Sequence, residues 1–259
     1  MRLLGVYILV AFSINLMPAK ADEVQNAVYQ GYFAGFNVLE MRAQFGLDGA
    51  GYQFQVRWHT TGATPIFVVD SKILLHAEGF WGPDRPLPKR SELLGSYDSK
   101  PTHILIEYEE DGPVVRDLLP PEMVDRDPLP PTERAQSLDP LAALAFLMRR
   151  AGLTGRCDGS TYVYDGHTLD RMTARTARFD KVPWRVAAYV DPLYCELEFR
   201  QAGGFASGDD RKKQSQPRCG FVWLASLGND GRGLKLPVWV QIEAGWLGPA
   251  NLYLTEIQP

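Results

Sequence analysis

The segment Ser137–Gly152, with the sequence SLDPLAALAFLMRRAG, is the stretch from which the fold is best worked out. Asp139 fits the N-cap position of a helix, because its side-chain oxygen can accept hydrogen bonds from N–H groups of the first turn. Pro140 fits the first helical position, where no N–H is needed, and Gly152 can adopt the left-handed conformation that ends a helix. Every residue from Leu141 to Met148 is apolar, and a helix that is apolar all round is buried. We therefore predict one buried helix at about residues 139–151.

Most of the remaining chain has the pattern of β-strands. In Tyr52–His59, apolar residues alternate with polar ones, which indicates a strand with one buried and one solvated face. The apolar phase slips near Leu39, which indicates a β-bulge that bends its strand. About eleven strands are expected, and strands this numerous and regularly spaced favour a barrel or a curled sheet. We predict a mainly β fold, a strongly curled antiparallel sheet or half-open β-barrel with one buried helix inside it.

Four further segments carry local predictions. Prolines in Pro83–Lys89 favour a loop, whereas the composition of Trp184–Tyr189 favours a strand. Asp165-Gly166 is a strong signal for a tight hairpin turn. Pro120–Thr132 has five prolines in thirteen residues and is predicted to be an extended connection to the helix. We do not interpret it as a domain linker, because each side has too few strands to close a core alone.

The N-terminus has the pattern of a secretory signal peptide. Arg2 supplies a positive charge, a mostly apolar run follows, and Ala19-Lys20-Ala21 matches a small-residue cleavage site. We predict that residues 1–21 are removed and that residues 22–259 form one domain, exported to the periplasm of a Gram-negative bacterium. The alternative is an uncleaved anchor helix. No later apolar run is long enough to span a bilayer, so no stable membrane insertion is expected after cleavage.

The charge of the predicted mature chain argues against one class of partner. Residues 22–259 contain 25 Lys and Arg against 31 Asp and Glu, because the leader removes Arg2 and Lys20, and the net charge is therefore −6. A nucleic-acid-binding domain needs a basic patch to neutralise phosphates. We expect no nucleic-acid partner, and the sequence identifies no protein partner.

The chain has three cysteines, Cys157, Cys195 and Cys219. In an oxidising compartment, three cysteines indicate one disulfide and one spare thiol. Cys195 lies on the apolar side of a predicted strand, and Cys157 begins the strand that follows the helix. We favour a Cys157–Cys195 bridge with Cys219 as a small buried side chain, although spacing alone does not fix the pairing.

Few residue patterns indicate catalysis. The four histidines are His59, His76, His103 and His167. None has the spacing of a metal-ligand pair, and no nucleophile motif or phosphate-binding glycine loop is present. We predict no metal, no cofactor and no catalytic residue. The alternative is an envelope hydrolase in which Asp165 and Asp170 form an acid–base pair, although Asp165 is also explained by its turn.

Aromatic residues are concentrated in the first third of the mature chain. Those predicted to contact a ligand are Tyr29, Tyr32, Phe36, Phe54 and Trp58. Aromatic side chains on the concave side of a curled sheet can line a pocket for an apolar or lipid-like small molecule. The alternative is that they only pack against the buried helix.

Several short motifs occur in the order found in one bacterial family. They are Tyr29–Gly35 (Tyr-Gln-Gly-Tyr-Phe-Ala-Gly), Asp139–Leu144 (Asp-Pro-Leu-Ala-Ala-Leu) and the hairpin Tyr164-Asp165-Gly166. On these residues the chain resembles the domain-of-unknown-function family 3108, which consists of exported bacterial proteins. His167 and Thr168 stand where that family usually has basic residues, so no role of basic residues there carries over.

The resemblance implies a fold and a disulfide but no established reaction. It implies a curled, half-open antiparallel barrel similar to periplasmic lipoprotein carriers, and cysteines at the positions of Cys157 and Cys195, which supports that bridge. Together with the leader and the aromatic residues, it leads to the hypothesis of a non-enzymatic cell-envelope protein that binds an apolar ligand. A hydrolase and a protein-binding scaffold are the alternatives.

Overall fold

The computed structural model describes residues 24–61, 69–122, 125–208, 211–227, 234–243 and 248–258. The predicted signal peptide, residues 1–21, lies outside these ranges. Thirteen strands and three helices occur within them. The strands are β1 (Val24–Phe33), β2 (Phe36–Leu47), β3 (Gly51–Thr60), β4 (Ser71–Trp81), β5 (Pro86–Tyr97), β6 (Lys100–Glu109), β7 (Gly112–Leu119), β8 (Gly159–Tyr164), β9 (Leu169–Thr176), β10 (Val190–Gly203), β11 (Arg218–Ser226), β12 (Lys235–Glu243) and β13 (Pro249–Gln258). The helices are α1 (Pro131–Ala135), α2 (Pro140–Thr154) and α3 (Arg211–Gln214).

All thirteen strands belong to one antiparallel sheet, which confirms the prediction of a mainly β fold. The strand order is β7-β6-β5-β4-β3-β2-β1-β13-β12-β11-β10-β9-β8. β1 lies at the centre and pairs with β2 on one side and with β13 on the other. The first and last described strands therefore join two meanders into a continuous sheet.

The sheet is not closed into a barrel, because β7 and β8 remain its two edges. The edge of β8 is occupied by Leu138, whose N–H donates to Tyr162 O (2.9 Å) and whose carbonyl accepts from Tyr164 N (2.8 Å). In the preceding helix α1, Arg134 donates from Nη2 to the carbonyl of Pro113 in β7 (2.7 Å). Backbone groups of β7 and β8 are therefore already bonded to the segment that leads into α2. Direct pairing of β7 with β8 would need these groups.

Helix α2 confirms the predicted buried helix and its start. Asp139 Oδ1 accepts from the N–H groups of Leu141 (3.0 Å) and Ala142 (2.9 Å), and Pro140 occupies the first turn. The helix runs past the predicted end at Gly152 and stops at Gly155, which has a φ of 64°. Gly152 is an exposed helical residue, because the left-handed turn that stops a helix is formed three residues later.

Helix α2 packs against strands from both halves of the sheet, namely β3, β4, β5, β8 and β12. We call the face that it covers the inner face and the opposite one the outer face. Seven of its side chains are buried: Leu141, Ala142, Ala143, Ala145, Leu147, Met148 and Ala151. A charged side chain of the helix also contacts the sheet, because the guanidinium of Arg149 lies 4.2 Å from the ring centroid of Trp81 in β4.

Local predictions for the strands have mixed outcomes. The register of β1 and β2 shifts so that Val38 is unpaired, which confirms the bulge predicted near Leu39. The predicted loop at Pro83–Lys89 is wrong in part, because β5 begins at Pro86. The first strand residue and a bulge are positions that tolerate proline, and Pro88 lies at a register shift between β4 and β5.

The predicted strand at Trp184–Tyr189 is also wrong. The chain there forms successive turns, in which the N–H groups of Val186 and Ala187 donate to the carbonyl of Pro183. Burial does not follow the alternation of a strand, because Trp184 is 78% exposed whereas Val186, two residues later, is buried. The segment crosses from β9 to β10 as an irregular connection.

The predicted disulfide between Cys157 and Cys195 is confirmed. It joins the residue just after α2 to β10, and both cysteines are buried. Cys219 is free, as predicted, but it is exposed on β11 rather than buried. Its partner across the strands is Glu198, so it lies on the polar outer face of the sheet.

Candidate functional site

The aromatic residues predicted to contact a ligand do not lie together. Tyr29 and Phe54 are in the hydrophobic core with 1% and 0% exposure, and Trp58 is half-buried against it. Phe36 begins β2 and is exposed. Tyr32 lies on the opposite face, because its ring packs on Tyr253 (centroids 5.8 Å apart), whereas Tyr29 pairs with Leu254.

Helix α2 leaves little room at the inner face beside β8 and β9. The cavity lined there by Leu147, Cys157 and Met172 has a volume of about 10 Å³. A drug-sized ligand occupies a cavity of several hundred Å³. The buried aromatic residues of β1 and β3 belong to the same core cluster as the helix, which agrees with the packing alternative.

The carboxylates of the hydrolase alternative have separate structural roles. Asp165 Oδ1 accepts from the N–H groups of His167 (2.8 Å) and Thr168 (2.6 Å), which fixes the turn between β8 and β9. Asp170 forms an ion pair with Arg218 (2.5 Å). Burial raises the pKa of Asp170, Arg218 partly opposes that rise, and the Asp165 carboxylate adds to it.

Asp158, the third carboxylate of this region, also serves the local structure. Arg156 and Thr176 bind it (both through Oδ2, at 2.8 and 2.9 Å), and these hydrogen bonds hold its pKa well below the usual range. Among the described residues, no group of three His, Cys, Asp or Glu side chains is arranged to hold a metal ion. This region therefore offers bound carboxylates rather than an acid–base pair facing an open cleft.

The outer face carries a row of aromatic side chains that crosses five adjacent strands. Cross-strand pairing places Tyr194 of β10 opposite Trp223 of β11, Trp223 opposite Trp239 of β12, and Trp239 opposite Tyr253 of β13. Cys195, bonded to Cys157 beside α2, points to the inner face, so its neighbour Tyr194 points outward. We call these residues, together with Phe221 and Tyr32, the outer aromatic row.

The rings of the outer aromatic row contact one another in sequence. Centroid distances are 5.0 Å for Tyr194–Trp223, 5.3 Å for Tyr194–Phe221, 4.9 Å for Phe221–Trp239 and 5.4 Å for Trp239–Tyr253. The Phe221–Trp239 pair is edge-to-face, and the other three pairs are tilted. Such arrangements are favourable because the electron-rich face of one ring meets the positive edge of the next.

The connection between β9 and β10 covers part of this row. The Phe179 ring packs on Tyr194 (5.0 Å) and on Trp223 (5.5 Å). The Arg185 guanidinium lies 4.7 Å from the ring centroid of Tyr253 and 4.8 Å from that of Trp184. Trp223 is consequently only 2% exposed, while the rings of the row on either side of it remain partly accessible.

Beside the row, a groove of about 370 Å³ opens on β9, β10, β11 and β12. We call it the β9–β12 groove. Tyr194 and Phe221 supply its aromatic surface. Gly220 also lines it, and a Cβ atom there would lie 2.5 Å from the carbonyl oxygen of Gln241, so only glycine allows β11 and β12 to approach this closely.

Charged side chains surround the aromatic surface of the β9–β12 groove. Glu196, Glu198 and Glu243 contribute three carboxylates, and Arg175 contributes one guanidinium. Glu198 is 3.6 Å from Arg200, and both side chains are about half exposed. The pKa of Tyr194 is raised by burial and by the Glu196 carboxylate, which is close enough to act on the ring hydroxyl.

At the other side of Phe221, Asn251 fixes the neighbouring polar groups. Its Oδ1 accepts from Trp239 Nε1 (3.0 Å) and from Gln241 Nε2 (2.8 Å). The Trp239 ring is thereby held in a defined orientation within the outer aromatic row. The groove therefore borders an aromatic surface in which the Trp239 ring is hydrogen-bonded in place.

Sequence reasoning missed the outer aromatic row, although one signal was available. In β12, Trp239 lies between Val238 and Val240, and strand alternation puts its side chain on the face opposite to those two apolar residues. A tryptophan on a polar face is unusual enough to suggest a binding surface. That the aromatic residues of β10, β11, β12, β13 and β1 meet could not be read from residues so far apart in the chain.

Among the residues that the structure describes, no helix has the length and apolar character needed to cross a bilayer. Comparison of the chain with protein-family models, with curated proteins and with solved structures found no match.

Proposed function

We propose that this chain is an exported, non-enzymatic protein of the cell envelope that binds a small amphipathic ligand in the β9–β12 groove. The observation that carries the proposal is the groove itself, about 370 Å³ in volume, with Tyr194 and Phe221 on one side and carboxylates around them. Ligand sites combine an apolar surface with a few polar groups that orient the ligand, and their volumes begin at about 300 Å³.

Export to the periplasm is supported by two features. The first is the leader pattern of residues 1–21, and the second is the Cys157–Cys195 disulfide, since disulfides persist mainly in oxidising compartments. Membership of the domain-of-unknown-function family 3108 is a proposal that rests on the order of three short motifs.

A binding role is favoured over hydrolysis because the described carboxylates near β8 and β9 are engaged. Asp165 is held by its own turn, and Asp170 by Arg218. A carboxylate pair for acid–base chemistry needs both groups within reach of one substrate atom. Neither Asp165 nor Asp170 lines the β9–β12 groove.

The predicted apolar or lipid-like ligand in a concave face is the second candidate. Its support is the curl that we propose for the sheet: α2 contacts strands of both halves, and Ile106 of β6 packs in one cluster with Tyr164 of β8 and Leu169 of β9, at the opposite edge of the sheet. Such a ligand would have to take the place of α2 side chains on the inner face. We therefore place the ligand on the outer face.

The neutral fluorescent dye N-phenyl-1-naphthylamine tests the site. We expect saturable binding to the purified oxidised chain, and loss of most of that binding in Phe221→Ala, which removes half of the aromatic surface of the groove. Tyr97→Ala is the matched control, because Tyr97 is an exposed aromatic residue (56%) at the end of β5. Unchanged dye binding in Phe221→Ala would reject the outer site and leave the inner-face candidate.

A further inference from the structure

We propose that the β9–β12 groove selects an organic cation with an alkylated ammonium group. This inference rests on the proposed function and adds the chemical class of the ligand. It is carried by the joint presence of unpaired carboxylates and aromatic faces in a single groove, a combination that favours a positive charge with an apolar surface.

The first argument is the charge of the groove. Three glutamates and one arginine line it, and Glu198 is also 3.6 Å from Arg200, so at least one carboxylate charge is left uncompensated. Glu196 and Glu243 form no ion pair with another described residue. This includes Arg175, which lies opposite Glu196 on β9. A lipid phosphate or another anion would meet this excess of negative charge, whereas a cation is attracted by it.

The second argument is the shape of the aromatic surface. The rings of Tyr194 and Phe221 are 5.3 Å apart, and their planes are inclined by 50°. Two inclined rings can present their faces to one cation, and the negative face of a ring attracts a positive charge within about 6 Å. Weakly hydrated alkylated ammonium groups lose less solvation on entering such a site than a primary ammonium does.

The third argument is independent of the groove, because the same aromatic row already holds a cation. The guanidinium of Arg185 lies over Tyr253 at 4.7 Å. Rings of the row contact each other from Tyr194 to Tyr253, so the groove lies at one end of this surface and the Arg185 contact at the other. A cation of this chain therefore already lies over one ring of the same surface.

The experiment compares choline with 3,3-dimethylbutan-1-ol, a neutral molecule of the same shape. Affinity of the oxidised full-length mature chain for each is measured by calorimetry and by displacement of the naphthylamine dye. We expect choline to bind at least about fivefold more tightly than the neutral alcohol. Its affinity should fall as salt is raised, while that of the alcohol stays nearly constant.

Two variants locate the charge that selects the cation. Glu196→Gln should weaken choline about two- to fivefold and leave the alcohol unchanged, because an exposed carboxylate contributes modestly. Glu110→Gln, at the exposed turn between β6 and β7, is the matched control and should change neither affinity. Both substitutions are at exposed sites, and circular dichroism verifies the fold.

Equal affinity for choline and for the neutral alcohol would overturn the inference. Choline binding that resists Glu196→Gln and Phe221→Ala would overturn it as well, because the cation would then bind elsewhere. Either result differs from failure of the proposed function, in which the dye itself does not bind in the groove.

Discussion

Asp139 provides a sharp test of how the buried helix is held. It is 0% exposed, and its Oδ2 atom has no hydrogen-bond partner among the described residues. Burial raises the pKa of its carboxyl from 3.8 to about 6, although hydrogen bonds from backbone N–H groups, including those of Leu141 and Ala142, lower it. We predict that Asp139→Asn removes the loss of stability that this carboxyl causes as the pH rises, because asparagine caps a helix about as well as aspartate and carries no charge.

The size and sign of the contribution of Asp139 to the free energy of unfolding follow from its proton binding in the folded and unfolded chains. Between pH 3.8 and about 6, the folded chain keeps Asp139 protonated while the unfolded chain ionises it, so rising pH favours unfolding. The stabilisation is fully present below pH 3.8 and is lost as the pH rises through about 6. Because one pKa unit is worth about 1.4 kcal/mol, this interval corresponds to about 3 kcal/mol of unfolding free energy.

Urea unfolding followed by tryptophan fluorescence measures this difference. From pH 4 to pH 8, we expect the wild-type chain to lose about 2 to 3 kcal/mol relative to Asp139→Asn. Asp84→Asn makes the same change at an exposed position between β4 and β5 and is the control. Parallel pH curves for the wild type and Asp139→Asn would refute the reasoning, since the buried carboxyl would then titrate as it does in the unfolded chain.

Asp139→Ala separates the charge from the cap. It removes the hydrogen bonds to Leu141 N and Ala142 N, so it should be less stable than Asp139→Asn by about 1 kcal/mol at every pH. A stability equal to that of Asp139→Asn would show that the cap contributes nothing to this buried helix.

Three other predictions concern covalent and backbone constraints. Cys195→Ala opens a disulfide with a sequence separation of 38 and should lower the free energy of unfolding by about 3 to 4 kcal/mol. Cys219→Ala should leave the free energy of unfolding nearly unchanged, and equal losses for the two variants in urea unfolding would contradict this. Gly152→Ala should raise the melting temperature, since a Cβ there meets nothing within 4 Å and alanine favours the helix by about 0.5–1 kcal/mol. Gly155→Ala should lower the melting temperature, because its φ of 64° costs alanine about 1–2 kcal/mol. Gly220→Ala should destabilise by about 1–3 kcal/mol through its 2.5 Å contact with a backbone carbonyl, and a melting temperature equal to the wild type would show that β12 can move aside.

The candidate site was predicted less well than the fold, and the reason is visible in two residues. Tyr29 and Tyr32 are three positions apart and were expected to share a pocket, yet the structure puts one in the core and the other against Tyr253. Residues three apart along a regular strand point to opposite faces. Choosing residues by their aromatic character, without assigning each to a face, therefore combined core and surface residues.

The sequence by itself determined the features that depend on near neighbours. Asp139 and Pro140 specified where α2 begins, the apolar run after them specified its burial, and the phase slip near Leu39 specified the bulge at Val38. Capping and side-chain alternation act over a few residues, so they can be read from a local pattern. The favoured Cys157–Cys195 pairing was also correct, although the spacing of the three cysteines left the other pairings open.

Only the tertiary structure decided which distant residues meet. Tyr194, Trp223, Trp239 and Tyr253 form one surface because the register of four strands places them side by side, and register depends on the packing of the whole inner face. The open edge between β7 and β8 was decided in the same way, when Leu138 paired with β8 in place of another strand. Contacts of this kind join residues many positions apart, and no local pattern encodes them.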